Sequence, residues 1–387
     1  MPPKSIPKYQ LTAVCAPGVE PLLFDELQQL HVGNIRLETG GIAFTGTNET
    51  IARINLQSRL ANRILLRLGH FHAVHLSELE KQTSTLPFDH FISSDTMVAV
   101  SAVCKKSRIY HSGAAAQRVA GVIAQAVNLN SAPTCQKAPD FTSPSTAAVQ
   151  VRIVRDQVTI SLDTSGLHLH KRGYRTHVSE APLRENIAAA ALRFCGYTGE
   201  IPLINPMCGS GTIAIEAALM AARIAPGMHR PFAFEQWPSF DAATLASEKT
   251  RARNFQRPPV GEIAASDILK TAIDTAVYNA EAAQILAQIQ FTVCEISQLH
   301  LPKSNGLIVV NPPWGKRLGA DSASGLSEKA ALSHLYGKIG ELHRQNPGWQ
   351  ICLITSDSVL ARQTGIKFQK VSPVMPSSGI RIQFHLS

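Results

Sequence analysis

The sequence predicts an α/β protein with a doubly wound sheet in its C-terminal half and smaller α+β units ahead of it. From residue 181 onward, short apolar stretches alternate with segments of helical periodicity, which is the pattern of a parallel sheet covered by helices. The earlier residues show strand-like alternation and hairpin turns. A length of 387 residues accommodates about two to four domains.

The N-terminal unit, residues 1–65, is predicted to be α+β. The stretch YQLTAVCA alternates as a strand does, and Pro17-Gly18 separates it from a segment with helical spacing, VEPLLFDELQQL. A hairpin follows, with Gly40-Gly41 at its turn. Residues 50–68 are predicted to form a second, arginine-bearing helix.

A second α+β unit is predicted for residues 66–165. MVAVSAVC (97–104) has the composition of a strand, and a basic segment then leads into an Ala-rich helix that ends near Val127. The proline-bearing residues 128–146 are predicted to be a loop. Two strands are expected on either side of Arg155-Asp156, and the polar, basic residues 166–180 are expected to form a linker.

The third unit, residues 181–387, is predicted to contain seven strands. The last two have no helix between them, and Ser377-Ser378-Gly379 provides a turn, so we expect the final strand to be antiparallel to its neighbours. The predicted strands are 201–205, 262–266, 289–293, 306–310, 350–355, 366–371 and 380–386, and the predicted helices are 183–195, 211–225, 271–286 and 329–344.

Composition and charge narrow the class of protein. No apolar run is long enough for a membrane span, and the N-terminus lacks the apolar core of a signal peptide, so a cytoplasmic location is expected. The 7 cysteines form no C-x-x-C pair, so neither a zinc site nor any other metal site is expected. A net charge of +9 favours a polyanionic partner.

The first candidate site is the turn that joins the strand at 201–205 to the next helix. Gly209 and Gly211 allow close approach of a ligand to the backbone, and free amides at the helix start favour an anionic group. The segment lacks the third glycine of G-x-G-x-x-G and the lysine of a P-loop, so a pyrophosphate site is disfavoured. Its residues are Asn205, Pro206, Met207, Cys208, Gly209, Ser210, Gly211 and Thr212.

The second candidate site is Asn311-Pro312-Pro313-Trp314, directly after the strand at 306–310. The two prolines fix the backbone, so the Asn311 side chain and the Pro312 carbonyl are held as acceptors, and Trp314 offers a flat surface. Two acceptors beside an aromatic face suit the amino group of a flat ring. Hydrogen bonds accepted from the N–H groups of the amine orient its nitrogen and raise the electron density on that nitrogen as it attacks.

These motifs, in their order and spacing, resemble the bacterial RNA guanine-N2 methyltransferases that combine a THUMP domain with a Rossmann-like, S-adenosylmethionine-dependent domain. Asn-Pro-Pro-Trp alone is shared with other amino methyltransferases, whereas the HKRGYR and APLREN blocks point to the guanine-N2 group. The resemblance implies a ferredoxin-like domain, a THUMP domain over 66–165 and a seven-stranded catalytic domain. It rests on DTSGLHLHKRGYR (163–175), EAPLRENIAAAAL (180–192), NPMCGSGTIAIEAA (205–218), ARIAPGMHRPFAFEQWPSF (222–240), SDIL (266–269) and NPPWGKRLG (311–319).

The resemblance also implies roles for individual residues. Asn311, Pro312, Pro313 and Trp314 would hold the target guanine, with Trp314 stacked on the flipped base. Asn205 stands where the family usually has Asp, which removes a charge near the amino group of the cofactor. The implied cofactor contacts are Pro182, Leu183, the residues from Asn205 to Thr212, Asp267 and Ile268 for the ribose, Glu295 and Ile296 for the adenine, and Asn311.

Basic residues in the middle unit and beside the catalytic unit predict an RNA partner. They lie near an aromatic side chain, a combination that suits a phosphate backbone and stacking on exposed bases. The predicted RNA contacts are Lys105, Lys106, Arg108, Tyr110, Arg118, Lys171, Arg172, Arg175, Lys316 and Arg317.

The expected reaction is guanine N2-methylation of structured RNA, with 23S ribosomal RNA favoured. Two alternatives stay open at the level of sequence. One is a transfer RNA guanine-N2 or adenine-N6 methyltransferase. The other is a non-catalytic RNA-binding or assembly factor, an alternative suggested by Asn205 in place of the usual Asp.

Overall fold

The structure, a computed structural model, describes residues 8–38, 40–136, 145–175, 183–302, 304–313, 328–377 and 380–387. The chain divides into two compact units. The first contains residues 8–15, 23–169 and 227–252, and the second contains residues 16–22, 170–226 and 253–387.

Up to residue 169 the chain forms the strands of one sheet and the helices that pack on it. The strands are β1 (Tyr9–Val14), β2 (Gly33–Glu38), β3 (Gly41–Gly46), β4 (Arg63–His72), β5 (Met97–Lys105), β6 (Thr134–Gln136), β7 (Thr146–Val154) and β8 (Gln157–Asp163), and the helices are α1 (Glu20–Gln29), α2 (Asn48–Gln57), α3 (Leu76–Thr83) and α4 (Ser112–Ala126).

The sheet of the first unit has eight strands in the order β2-β3-β1-β4-β8-β7-β5-β6. Strand β5 is parallel to β6 and β7, and the other pairs are antiparallel. Arg155 and Asp156, with φ of 51° and 62°, make the tight turn between β7 and β8 that the sequence predicts.

The helix predicted over 50–68 is wrong in its second half. The helix α2 ends at Gln57, and β4 begins at Arg63. The residues of β4 form ladders with β1 on one side and β8 on the other, so strand pairing overrides the local helical spacing. The predicted domain boundary between residues 65 and 66 falls inside β4. No observation tests this boundary, and it stays a prediction.

From residue 183 onward the chain alternates between helices and strands. The helices are α5 (Glu185–Phe194), α6 (Thr212–Ala221), α7 (Ala242–Asn254), α8 (Lys270–Ala282), α9 (Glu328–Gln345) and α10 (Ser358–Gln363), and the strands are β9 (Leu203–Pro206), β10 (Ile263–Asp267), β11 (Gln290–Val293), β12 (Gly306–Val310), β13 (Trp349–Thr355), β14 (Lys370–Val371), β15 (Met375–Ser377) and β16 (Ile380–Leu386).

The second unit contains the predicted doubly wound sheet, in the order β11-β10-β9-β12-β13-β16-β14. The strands from β11 to β13 are parallel, and β16 is antiparallel to β13 and β14, as the missing helix before it predicts. The predicted fold class of this region, a doubly wound α/β sheet that follows smaller α+β units, is confirmed.

Sequence reasoning missed several elements of this region. It gave no helix at α7 or α10, and only residues 370 and 371 of the strand predicted over 366–371 are paired. The helix α7, AATLASEKTRARN, has few large apolar residues, so its periodicity is weak. Within the part of the chain that the structure describes, no helix has the length and apolar character needed to cross a membrane.

A buried ion pair joins two neighbouring strands of the first sheet. Arg63 of β4 contacts Asp163 of β8, and the two side chains are only 6% and 0% exposed. Asp163 also accepts a hydrogen bond of 2.7 Å from the Ser165 amide. Because both charged groups are buried away from water, each is stabilised mainly by its contact with the other.

We predict that Arg63→Met lowers the free energy of unfolding by about 3–5 kcal/mol, because it leaves the Asp163 carboxylate buried without its counter-charge. Urea denaturation measures the change. The double variant Arg63→Met/Asp163→Leu should recover most of the loss, since it removes both charges. A single variant within about 1 kcal/mol of the wild type would contradict the prediction.

Candidate active site

The predicted site residues that the structure describes after β9, β10, β11 and β12 lie at one edge of the parallel sheet. Asn205 is in β9, Asp267 ends β10, Glu295 follows β11 and Asn311 follows β12. These four strands are neighbours in the order β11-β10-β9-β12, so their carboxyl ends are adjacent. This is the edge at which open α/β sheets bind ligands.

The loop after β9 has the backbone conformation that its glycines permit. Gly209 and Gly211 have φ of 54° and 79°, in the left-handed region. A Cβ at Gly211 would lie 2.9 Å from the Cβ of Ala276 in α8, whereas one at Gly209 would meet nothing within 4 Å. Gly211 therefore allows the helix α8 to pack against the loop, and Gly209 leaves space in front of the backbone.

Asp267 fixes this loop to the end of the neighbouring strand. Its carboxylate accepts hydrogen bonds from the amides of Gly209, at 2.9 Å, and Leu269, at 3.0 Å. Beside it, Ile268 and Leu269 are 64% and 60% exposed. The Asp267 carboxylate can accept further hydrogen bonds, and it lies next to an exposed apolar surface. This combination suits a ligand in which a sugar with hydroxyl groups is attached to a flat ring.

Asn205 connects β9 to β12. Its side-chain amide donates a hydrogen bond of 2.8 Å to the carbonyl of Val309, and the residue is 0% exposed. Aspartate, the residue that the resemblance leads us to expect here, could not make this bond because a carboxylate has no proton to donate. The Oδ1 atom of Asn205 is buried and has no hydrogen-bond partner among the described residues.

The second candidate site, called the acceptor motif from here on, begins at Asn311 and follows β12 without an intervening residue. Asn311 and Pro313 are half-buried, and Pro312 is buried. The hydrogen bond from Asn205 to Val309 holds the strand two residues before Asn311. Four predicted site residues, namely Pro182, Trp314, Lys316 and Arg317, lie outside the described residues.

The two neighbouring residues predicted to flank the adenine, Glu295 and Ile296, have side chains in different environments. Glu295 is half-buried and accepts a hydrogen bond of 2.7 Å from Lys338, which lowers the pKa of the Glu295 carboxyl. Ile296 is 5% exposed and packs in the core with Ile204 and Ile308. The prediction that Ile296 flanks the adenine stays a prediction, and its buried side chain contributes to the apolar core under this edge of the sheet.

Arg172, predicted as an RNA contact, is part of a buried polar cluster. Its side chain is 2% exposed, and its Nε atom lies 3.5 Å from Oε1 of Glu216. The Tyr174 hydroxyl donates to the same carboxylate oxygen at 3.0 Å. Burial and the nearby Glu216 charge raise the pKa of Tyr174 well above its usual range. The RNA-contact prediction for Arg172 is therefore wrong, since its charge compensates Glu216.

Arg175 connects this segment to the loop after β9. Its guanidinium donates hydrogen bonds of 2.8 Å to the Leu183 carbonyl and to Oγ1 of Thr212, the first residue of α6. Its Nε atom lies 3.5 Å from the buried Glu185 carboxylate. The segment predicted as a linker thus contributes an arginine that braces the start of α6 and the residues before α5.

Sequence reasoning missed Glu216 and Glu185 as partners of these arginines. A signal for Glu216 was present, because it is the one charged residue of the helix TIAIEAALMA, all of which is buried. An ionised side chain in such a helix requires a buried counter-charge. The sequence gives no means of telling which arginine supplies it.

In the first unit, the structure brings together four of the predicted RNA contacts. Lys105, Lys106 and Arg108 are exposed near the end of β5, and Tyr110 is 82% exposed. A cavity of about 350 Å³ is lined by residues that include Arg108 and Tyr110. Arg118 lies 3.3 Å from the Glu80 carboxylate. In the second unit, Lys171 is exposed.

Comparison with known proteins identifies the family to which the chain belongs. A profile described as "RMKL-like, methyltransferase domain" matches residues 172–374, and a profile described as "RlmL ferredoxin-like domain" matches residues 10–65. The chain belongs to the RMKL-like methyltransferase family. No comparison tests the THUMP assignment directly, and it stays a prediction.

Curated relatives and a solved structure extend the similarity over nearly the whole chain. Ribosomal RNA large subunit methyltransferase K/L of Syntrophotalea carbinolica is 36% identical over 93% of this chain and 51% of the relative. Putative RNA methyltransferase YpsC of Bacillus subtilis is 32% identical over 94% of this chain and 92% of the relative. The chain thus spans about half the length of the K/L relative.

The structure of SMU.472, a putative methyltransferase complexed with SAH, aligns with a TM-score of 0.84 at 27% identity. The alignment covers 98% of this chain and 97% of SMU.472. The similarity therefore extends over both units.

We predict that Arg175→Ala weakens S-adenosylmethionine binding by about tenfold, because it removes charge-assisted hydrogen bonds that hold Thr212 and Leu183 in place. Isothermal titration calorimetry measures the dissociation constant. Arg175→Lys should weaken binding less, and Lys171→Ala, at a nearby exposed position, should leave the constant unchanged. Equal affinities for the wild type and Arg175→Ala would refute the bracing role.

Proposed function

We propose that this chain transfers a methyl group from S-adenosylmethionine to the exocyclic N2 of a guanine in structured RNA, with 23S ribosomal RNA as the favoured substrate. The observation that carries the proposal is the position of Asn311 and Pro312. They follow β12 directly. The loop after β9 that contains Gly209 and Gly211, called the glycine loop, lies at the neighbouring strand end, and the Asn205–Val309 hydrogen bond couples the two strands.

The described residues fit the cofactor. The space in front of Gly209 admits a ligand close to the backbone, and the fixed Asp267 carboxylate can accept from sugar hydroxyls. The exposed Ile268 and Leu269 provide apolar contact for a purine face. When bound, S-adenosylmethionine supplies an electrophilic methyl group on a sulfonium.

The acceptor motif would prepare the amine for attack. The Asn311 side-chain oxygen and the Pro312 carbonyl accept hydrogen bonds from its two N–H groups. These hydrogen bonds orient the nitrogen lone pair toward the methyl carbon. The prolines keep these acceptors rigid, so little reorganisation is needed. As the nitrogen–carbon bond forms, the sulfur–methyl bond of the donor would break and leave a neutral thioether, and the methylated nitrogen would then release its proton to solvent. Burial raises the pKa of the Cys208 thiol, and no step requires it as a nucleophile.

The choice of RNA rests on two supports. The K/L relative is named for the large-subunit ribosomal RNA, and the YpsC relative is named as a putative RNA methyltransferase. In the first unit, Lys105, Lys106 and Arg108 lie exposed beside Tyr110, a combination that suits RNA. A ribosomal RNA substrate would place the protein in the cytoplasm.

Nucleoside analysis tests the proposal. We predict that RNA from a strain lacking the gene loses N2-methylguanosine at one position of 23S ribosomal RNA, and that the purified protein restores it in vitro with S-adenosylmethionine. Mass spectrometry of ribonuclease fragments locates the change. Loss of the methyl group from transfer RNA or from an adenine N6 would favour those alternative substrates. Unchanged RNA, together with no binding at millimolar cofactor, would favour a non-catalytic RNA-binding factor.

We further predict that Asn311→Ala lowers the methyl-transfer rate by about 100-fold or more, because the variant loses an acceptor that orients the amine. Single-turnover assays measure the rate. RNA affinity by fluorescence anisotropy should stay within about twofold of the wild type, since the substitution leaves the basic residues intact. Cofactor affinity by calorimetry should fall much less than the rate does, because Asn311 is only one of the implied cofactor contacts. A variant with an unchanged rate would rule out the acceptor role.

A further inference from the structure

The eight-stranded sheet of the first unit has one apolar face and one polar face. The apolar face includes alternate residues of β1 and β4, which are at most 1% exposed: Leu11, Ala13, Ile64 and Leu66. The residues between them point to the opposite side. There, Thr12 is half-buried and polar and charged side chains lie among apolar ones, so the two faces of this sheet differ in character.

Besides Arg63, which is buried against Asp163, four cationic side chains occupy the polar face. Arg36 lies on β2, Arg67 on β4, Arg152 on β7 and Lys105 on β5. The strand register places them on the same side, because directly paired residues share a face of the sheet. From β2 to β5 the sheet spans seven strands, so at about 4.8 Å between strands this row of cations extends over roughly 29 Å.

The face carries little compensating negative charge. Within the described strands its acids are Glu38 and Asp163, and Asp163 is 0% exposed and paired with Arg63. Glu38 lies 3.7 Å from Arg36 and 3.6 Å from Arg67. Arg152 and Lys105 have no acidic partner among the residues described. The polar face is therefore positively charged.

The other side chains decide which form of polyanion it suits. A depression of about 610 Å³ on this face is lined by Arg67, Arg152, Thr12, Thr159 and Gln150, among others. The described strand residues of this face include no Phe, Tyr or Trp, so it offers no platform for stacking unpaired bases. Cations and hydroxyl groups suit the phosphates and 2′-hydroxyls of a double-helical RNA.

We propose that the polar face of the eight-stranded sheet is a docking surface for the sugar-phosphate backbone of a double-helical RNA segment. Lys105 at one end of the row adjoins Lys106, so the surface continues into the exposed basic group near the end of β5. The inference rests on the proposed function for its choice of RNA, but it assigns binding to residues that take no part in methyl transfer.

The test uses the full chain with Arg36→Gln, Arg67→Gln and Arg152→Gln combined. Fluorescence anisotropy measures binding to a labelled RNA hairpin and to a single strand of the same length over a series of salt concentrations. We expect hairpin affinity to fall by about tenfold or more, and the slope of log K against log salt to decrease by about 2–3, because each lost phosphate contact contributes about 0.9. The single strand should be affected less.

Matched variants separate charge from structure. Replacement of the same three arginines by lysine keeps the charge and should keep most of the salt slope. Lys367→Gln, an exposed position in the second unit, should leave both affinity and slope unchanged. If the triple variant does not fold, Arg152→Gln alone serves, because Arg152 is exposed, and the slope should then fall by about 1.

The outcomes distinguish the docking surface from the proposed function. An unchanged hairpin affinity and slope in the glutamine variants would overturn the docking surface, even if the wild type methylates RNA. An equal loss in the lysine variant would also overturn it, since the charge would not be responsible. Lost hairpin binding in the glutamine variants, with no methyl transfer by the wild type, would support the surface while the proposed reaction fails.

Discussion

The hydrogen bond from the Asn205 side chain to the Val309 carbonyl is the contact on which the arrangement of the candidate site depends. It joins β9, which ends in the glycine loop, to β12, which ends in the acceptor motif. On the other side of β9, Asp267 fixes the loop through the Gly209 amide. The ends of three strands are thus held by side chains as well as by the sheet ladder. A methyl donor and a nucleophile could meet there only if these ends keep their relative positions.

A second set of buried contacts supports the same loop from its helix. Glu216, one turn into α6, is bound by Arg172 and Tyr174, and Arg175 holds Thr212 at the start of the helix. Buried charges of this kind add little stability by themselves, but removal of one partner is costly. The cluster therefore ties residues 172–175 to a defined position. This accounts physically for the presence of HKRGYR and APLREN together in one chain.

The first unit separates its apolar and cationic side chains between the two faces of a single sheet. The apolar face is buried, and the polar face carries arginines on three of its strands, β2, β4 and β7. A surface of this type suits a partner recognised by its phosphates, whereas the motif after β12 suits one amino group on one base. Affinity for the RNA and selection of the target atom would then reside in different parts of the chain.

The sequence by itself determined the alternation of strands and helices, the antiparallel last strand and both turns at the sheet edge, because apolar periodicity, glycine and proline act locally. The tertiary structure decided the rest. Whether residues 63–68 form a helix or a strand depended on ladders with β1 and β8. Whether Arg172 reaches RNA or Glu216, and which residues surround the Ile296 side chain, depended on packing between residues far apart in the chain. Composition shows that a side chain is charged or apolar, but only the fold determines its partner.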